Sequence, residues 1–510
     1  MTPTVILPIL WPLFAGLLLV WWRRYPLDGQ RVLALVALVV QLGIALHAFS
    51  ISSEGGYDVY NLGNWLAPFG IVLVLDRLAA FMLLLTAVLA LPTWWYAVAT
   101  KVDKQGAYFH VLFQWQLVGL NGAFLTGDVF NLFVFFEVLL LASYGLMLHG
   151  GGRERLVAGF HYVVVNLLGS VLFLFAVGAL YSALGSLNLA DMALKVAQAP
   201  AERQGLIAAA GLLLLVVFAL KAAMFPLYLW LPATYANTSA PVAALFAIMT
   251  KVGVYAIVRV HGTLFGVQAG ALAYLHVPWV LGGGLLTLLV ASLGVIAANR
   301  LREQVSYLVL TSVATLLIAI GLNQAQSLAA GLYYWLHSTL LTGGFFLLAG
   351  QIAHSRGSAD DWLKPAILSY KAWLGTGFFL AAIAVIGLPP LSGFLGKLII
   401  MQAALTHTWW WLIVLVMLVA SLLLLAALVR SGSVLFFSIP AAAERHVPEV
   451  RAPLNRMAGI ATGVLLVMSP VLVWLAAPLS HLTAQISVQI LDIPAYIQAV
   501  LGNVPVGGLP

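Results

Sequence analysis

The chain has 510 residues, of which 63% are hydrophobic and only 8% charged, with a formal net charge of +7. A soluble protein carries roughly 25% charged residues, so this composition excludes a water-soluble enzyme and describes an all-α, polytopic membrane protein. The surplus of positive charge is then an orientation signal in membrane loops, not a nucleic-acid footprint. The absence of cysteine excludes disulfides, thiolate chemistry and Cys-ligated zinc or iron–sulfur centres.

Apolar runs long enough to cross a bilayer core fall at 3–22, 31–52, 76–99, 107–126, 129–149, 156–182, 206–231, 240–262, 273–298, 304–322, 328–353, 372–404, 408–436 and 455–478, about fourteen in all. The first is followed, not preceded, by Arg23 and Arg24. That is the reverse of a secretory signal, so it reads as a first membrane helix with its N-terminus outside. Segment 53–75 is mixed in character and reads as an extramembrane loop with a short hairpin. The tail beyond Pro478, with Asp492 as its one charge, reads as an interfacial helix. With the N-terminus outside, the inner loops hold 16 of the 23 Lys and Arg, from Arg23 through Arg300 and Arg302 to Arg445, Arg451 and Arg456. Four lie outside: Arg77, Lys195, Arg203 and Arg259. This is the positive-inside pattern, and it predicts a multi-pass protein of a bacterial inner membrane with both termini outside.

The remaining three amines, Lys221, Lys251 and Lys397, fall inside apolar runs, as does one carboxylate, Glu137. An ionisable residue at mid-membrane costs about 2.5–3.5 kcal/mol on insertion scales and is functional by default. One carboxylate cannot pair with three amines, so the charge on each amine depends on whether Glu137 is close. That is how such a row could pass a proton along. The plainer alternative is a static set of interhelical salt bridges. Lys221 and Lys251 flank the prolines Pro226, Pro232 and Pro241, while Lys397 follows Pro389 and Pro390. Broken helices are tolerated at this depth only where protein or a hydrated cavity receives the freed backbone groups. FPLYLWLP around Pro226 and GLPPLSGFLGK around Pro389 form a weak internal echo, as expected of a repeat-built transporter. Further relay candidates are His161 and Tyr162, Ser143 and Tyr144, and His337 with Thr342. Histidine titrates near neutral pH, but each of these could equally be interhelical hydrogen-bonding glue. His110, Gln114 and Asn121 share one face of the fourth run and read as such glue.

Other chemistries find no support. The Trp94-Trp95-Tyr96 and Trp409-Trp410-Trp411 clusters sit at helix ends as interfacial belts. Gly282–Gly284 lacks the strand–turn–helix context of a phosphate loop. The histidines are scattered without metal-ligand spacing. No cofactor, metal, nucleotide or nucleic-acid site is expected.

DVFNLFVFFEVLLLASYGLMLHGGGRER, FPLYLWLPATYANTSAPVAALFAIMTKVGVYAIVR and GLPPLSGFLGK resemble the antiporter-like subunits shared by respiratory complex I, membrane-bound hydrogenases and Mrp-type cation/proton antiporters. The chain is most similar to the D-type subunits of the Mrp (Mnh, Pha) Na⁺/H⁺ antiporters. The resemblance implies fourteen membrane helices with helices 7 and 12 broken and two inverted five-helix repeats. It divides the chain into 1–106 (helices 1–3), 107–265 (helices 4–8), 266–437 (helices 9–13) and 438–510 (helix 14 and tail). It implies that Glu137 pairs with Lys221 where protons enter, that Lys251 is the central relay and Lys397 the terminal one, and that His337 connects the last two. His161 stands where many relatives carry lysine, and Thr342 where some carry one. The implied function is a subunit of a multisubunit Na⁺/H⁺ antiporter that works with other antiporter subunits in the lipid bilayer. The alternatives are a proton-pumping subunit of a redox complex and a non-transporting scaffold.

Overall fold

The computed structural model describes residues 3–24, 26–438 and 455–502. Arg445 and Arg451 lie outside these residues. The chain opens with α1 (Leu7–Trp22) and α2 (Leu27–Ser52), then a hairpin of β1 (Asp58–Asn61) and β2 (Val72–Leu75). Next come α3 (Arg77–Ala99), α4 (Phe109–Leu125), α5 (Val129–Leu148), α6 (Arg153–Leu184), α7 (Leu189–Ala197) and α8 (Ala201–Ala222). They are followed by α9 (Trp230–Asn237), α10 (Ala240–Phe246), α11 (Met249–Ala256), α12 (Gly262–Leu264), α13 (Val277–Ala297), α14 (Leu301–Gly321) and α15 (Ala325–Arg356). The last are α16 (Lys371–Ile386), α17 (Ser392–Ala404), α18 (Trp410–Gly432), α19 (Arg456–Trp474), α20 (Ala476–Leu491) and α21 (Ile493–Leu501). Starts are set by side-chain caps: Asp76 accepts from Ala79 N and Asp128 from Asn131 N, each at 2.8 Å.

Among the described residues, eleven helices are long and apolar enough to cross a membrane. The count is twelve if α20 and α21, bent by 68°, form one span. Helices α1, α16 and α17 are apolar but shorter. The burial pattern sorts the spans. Ala240–Leu264 is wholly buried, and α14 and α15 nearly so, whereas only 33%, 39% and 39% of the spanning residues of α2, α6 and α18 are buried. The first group forms the centre; the second turns its Leu, Val and Phe side chains outward, as lipid-facing helices must.

The expected hairpin is present, with Asp58 opposite Leu75 and Asn61 opposite Val72. Between the apolar runs 156–182 and 206–231 lies α7, capped by Asn188. The tail beyond Pro478 is docked on the rest of the chain: Gln489 accepts from Arg77 N (3.0 Å) and donates to Gly55 O (3.2 Å).

Both proline-rich interruptions are real. Helix α8 stops at Ala223 in the left-handed conformation, and Pro226 lies in the gap before α9. Helix α16 stops at left-handed Gly387, and Pro389 and Pro390 fill the gap before α17. Pro232 does not mark a break. It is the third residue of α9, where an N–H has no intrahelical partner to lose. The run 240–262, read as one helix, is further divided by a turn at Ala247-Ile248 and a π-type turn at Ile257–His261.

At the end of the molecule carrying the expected inner loops, Arg300 and Arg302 both engage Asp360 and Asp361. Burial alone pushes the Asp361 carboxyl up, but Arg302 and Arg300 outweigh it and hold it below the usual carboxylate range. At the opposite end Asp76 and Arg259 pair at 2.7 Å.

Candidate functional site

Glu137 sits half-buried on α5, facing α6. The Ser170 hydroxyl reaches its Oε1 and also lies 3.1 Å from the Asn166 carbonyl oxygen one turn back. A hydroxyl has one proton to donate, so Ser170 serves either acceptor. The same Asn166 carbonyl accepts from Lys221 Nζ at 3.3 Å, and the Asn166 side-chain oxygen lies 3.4 Å from that amine. Glu137 and Lys221 lie within electrostatic reach of each other. Among the described residues no direct ion pair joins them; the hydrogen-bonded link runs through Ser170 and Asn166. Lys221 occupies the last turn of α8 just before its break, with 5% of its surface exposed.

Tyr162 completes a polar stripe on α6 at four-residue spacing with Asn166 and Ser170. Its hydroxyl lies 2.7 Å from Ser143 Oγ, its ring meets Tyr144 edge-on, and Trp230 stacks on it at 5.2 Å. The Trp230 indole donates (3.1 Å) to the Leu220 carbonyl in the last turn of α8, an oxygen that also accepts from Ala223 N. His161, one position earlier, points to the exposed side of α6. Its expected part in the relay is not supported: neighbours on a helix differ by about 100°, and only Tyr162 faces inward.

Lys251 is completely buried on α11 and donates to Ser312 Oγ at 3.2 Å. Two residues on, Gly253 lets α11 meet the end of α8 backbone to backbone. A methyl group there would sit 2.5 Å from Ala222 N and 2.8 Å from the Lys221 carbonyl carbon.

At the second break the lysine lies after the gap and reaches back across it. Lys397 on α17 donates to the Ile386 and Val385 carbonyls at 2.8 and 3.3 Å and lies 3.4 Å from Ser421 Oγ. These carbonyls are the unpaired acceptors of the α16 C-terminus, where the helix dipole favours a cation. His337 on α15 meets Ser392 Oγ through Nδ1 at 2.7 Å, and Ser392 meets Ser469 at 2.9 Å. Its ring also reaches the Ala384 carbonyl and lies within electrostatic reach of both Lys397 and Lys251. Thr342 does not join this set. Its hydroxyl donates back to Ser338 O on its own helix at 2.5 Å.

The structure thus groups Glu137 with Lys221 at the first break, and His337 with Lys397 at the second. Lys251 lies between, on the most buried span. Sequence reasoning missed Asn166, Ser170, Ser312 and Ser392. The Tyr-x₃-Asn-x₃-Ser spacing on α6 was the one visible signal.

The fold and site define the class as a polytopic helical membrane protein that holds hydrogen-bonded ionisable side chains inside its spans, beside two helix breaks. Residues 126–424 match the family described as "NADH:quinone oxidoreductase/Mrp antiporter, TM". The chain is 43% identical over 422 residues to the D-type subunit of a probable K(+)/H(+) antiporter of Rhizobium meliloti (strain 1021), covering 78% of each chain. It is 37% identical over 406 residues to the D-type subunit of the Na(+)/H(+) antiporter of Alkalihalophilus pseudofirmus, covering 79% of this chain and 81% of that one. A chain of the Mrp complex from Dietzia sp. DQ12-45-1b superposes with a TM-score of 0.86 at 27% identity, over 98% of this chain and 100% of that chain. The chain belongs to the NADH:quinone oxidoreductase/Mrp antiporter family and, within it, to the D-type subunits of the multisubunit Mrp-type antiporters.

Proposed function

We propose that this chain carries the proton path of a multisubunit monovalent cation/proton antiporter and exchanges H⁺ for Na⁺ or K⁺ together with other antiporter subunits. The observation that carries the reading is the Glu137–Ser170–Asn166–Lys221 connection beside the first helix break. The Ser170 hydroxyl can turn between the Glu137 carboxylate and the Asn166 carbonyl to which the Lys221 amine also donates, so the state of one charged group is felt by the other through a single hydrogen-bond set. Protonation of Lys251 would then compete with Lys221 for Glu137, and charge would step on through His337 to Lys397. Within this reading the fold is fourteen membrane helices in two inverted five-helix repeats, 107–265 and 266–437, after 1–106 and before 438–510. The termini face outside in a bacterial inner membrane. The grouping of Arg300, Arg302, Asp360 and Asp361 at one end supports that orientation.

A proton-pumping role in a redox complex uses the same family fold, but the D-type relatives at 43% and 37% identity favour antiport. The test is cation-induced proton release in everted vesicles containing the whole complex. Glu137→Ala or Lys221→Ala should abolish it while the complex still assembles. Wild-type exchange in either assembled variant would overturn the assignment.

A further inference from the structure

Three helices supply the link between Glu137 and Lys221, and each also supplies a phenylalanine on one side of it. The side is the same for all three. Gly127, just before α5, donates through its N–H to Val72 O on β2, the strand that leads to Asp76, and Val129 N donates to Leu187 O beyond the end of α6, each at 2.9 Å. Arg203, near the start of α8, donates to Ala183 O at 3.3 Å. So α5 begins, α6 ends and α8 begins at the end of the molecule marked by Asp76 and Arg259. Toward that end, Phe133 stands four residues from Glu137, Phe173 three from Ser170 and Phe218 three from Lys221. At a rise of about 1.5 Å per residue, the rings lie about 5 Å beyond the polar link.

These rings meet one another. The Phe173 and Phe218 centres are 5.4 Å apart, and Phe136, next to Glu137, lies 5.9 and 6.3 Å from the two. Phe133 covers one edge, 5.5 Å from Phe173. Phe136, Phe173 and Phe218 are at most 1% exposed. Aromatic rings fill many cores, but here one from each helix of the link falls at one level. Such a layer offers water no hydrogen-bond partner, and apolar constrictions block charge by dewetting.

Polarity returns beyond the layer. His261, in the π-type turn of the buried span, sets its ring edge-on to Phe218 at 5.6 Å, and the His276 ring, just before α13, lies 5.5 Å from His261. The two histidines are 1% and 5% exposed. His261 Nε2 lies 3.0 Å from the Gly211 carbonyl. A carbonyl only accepts, so Nε2 carries the proton and Nδ1 presents its lone pair. Neither His261 Nδ1 nor His276 Nδ1 has a partner among the described residues. Arg259, two residues before His261, is occupied elsewhere, by Asp76 at 2.7 Å and the Tyr255 hydroxyl at 3.1 Å. Two imidazoles with open nitrogens can accept a proton, and only the phenylalanine layer stands between them and the Glu137–Lys221 link. A proton crossing there would pass the first break without cation exchange.

We propose that Phe133, Phe136, Phe173 and Phe218 form a dry barrier that keeps Glu137 and Lys221 from passing protons to His261 and His276, so that charge leaves the pair by way of Lys251. This rests on the proton-path reading above. The test uses the assembled complex in everted vesicles. A pH gradient is imposed with choline as the only added cation, and its decay is followed. Phe218→Ala removes the ring that touches His261 and should speed the decay about tenfold, as for a barrier lowered by about 1.4 kcal/mol. Adding His261→Leu or Glu137→Ala to Phe218→Ala should each restore the slow decay of the unaltered complex, which general damage to packing would not allow. Phe133→Ala, at the partly exposed edge of the layer, takes the same place where Phe218→Ala does not assemble. Slow decay in the assembled alanine variant, or fast decay that persists with either second substitution, overturns the barrier. If the unaltered complex shows no cation-driven proton release, the antiport reading fails instead, and the decay in choline still judges the barrier.

Discussion

Ser170 is the smallest group on which the proton path depends. Its hydroxyl lies between Glu137 and the Asn166 carbonyl, and a hydrogen bond to a charged group contributes about 1.5–3 kcal/mol. Ser170→Ala should therefore slow cation-driven proton movement about ten- to hundredfold without loss of complex, and Ser170→Thr should retain most of the rate. Equal rates in all three, read by the same vesicle assay, would remove Ser170 from the path. The four ionisable residues were legible in the sequence because a charge inside an apolar run is conspicuous on any hydropathy scale. The hydroxyls and the amide that connect them were not, because serine and asparagine are ordinary in membrane helices and only packing shows which way they point. His161 and Tyr162 make the point at adjacent positions: their polarity inside an apolar run singled out both, and the turn of the helix keeps only the second.

At the scale of elements, the second break frees the Val385 and Ile386 carbonyls where the Lys397 amine reaches them. Gly393 lets α17 approach the end of α16. A methyl group there would meet the Ala384 oxygen at 2.0 Å and His337 Nε2 at 2.8 Å, and the neighbour at the closer contact is backbone, which cannot swing aside. Gly393→Ala should push α17 away from α16, lower the thermal midpoint of the solubilised complex and abolish proton movement. A variant with wild-type midpoint and rate would show that His337 and the α16 terminus need not touch. The proline runs forecast both breaks, since proline lacks a donor wherever it falls. They did not separate Pro226, which lies in a gap, from Pro232, which starts a helix. Nor did they announce the π-type turn beyond Lys251, which no residue type encodes by itself.

At the scale of the molecule, a largely buried centre of Ala240–Leu264, α14 and α15 is wrapped by lipid-facing helices and held at one end by Arg300, Arg302, Asp360 and Asp361. Asp361 is the buried member. Its folded carboxyl is held below the usual range, so its contribution is present above the unfolded value of about 3.9 and is lost as pH falls through the lower folded value. The thermal midpoint of the complex should drop as pH is lowered below about 4, and Asp361→Asn should be less stable at neutral pH and lose this acid-side dependence. The same dependence in both proteins would assign it elsewhere. The membrane class and the apolar runs were readable from composition alone. The docking of the tail onto the two ends of the hairpin was not, because Gln489, Arg77 and Gly55 are brought together only by the folded chain.

The account turns on buried amines moving charge, and Lys251 is the one with no exposure at all. Lys251→Met keeps the apolar stem and removes only the ammonium. In everted vesicles containing the assembled complex, a cation pulse should then release no protons; release at the wild-type rate would contradict the relay.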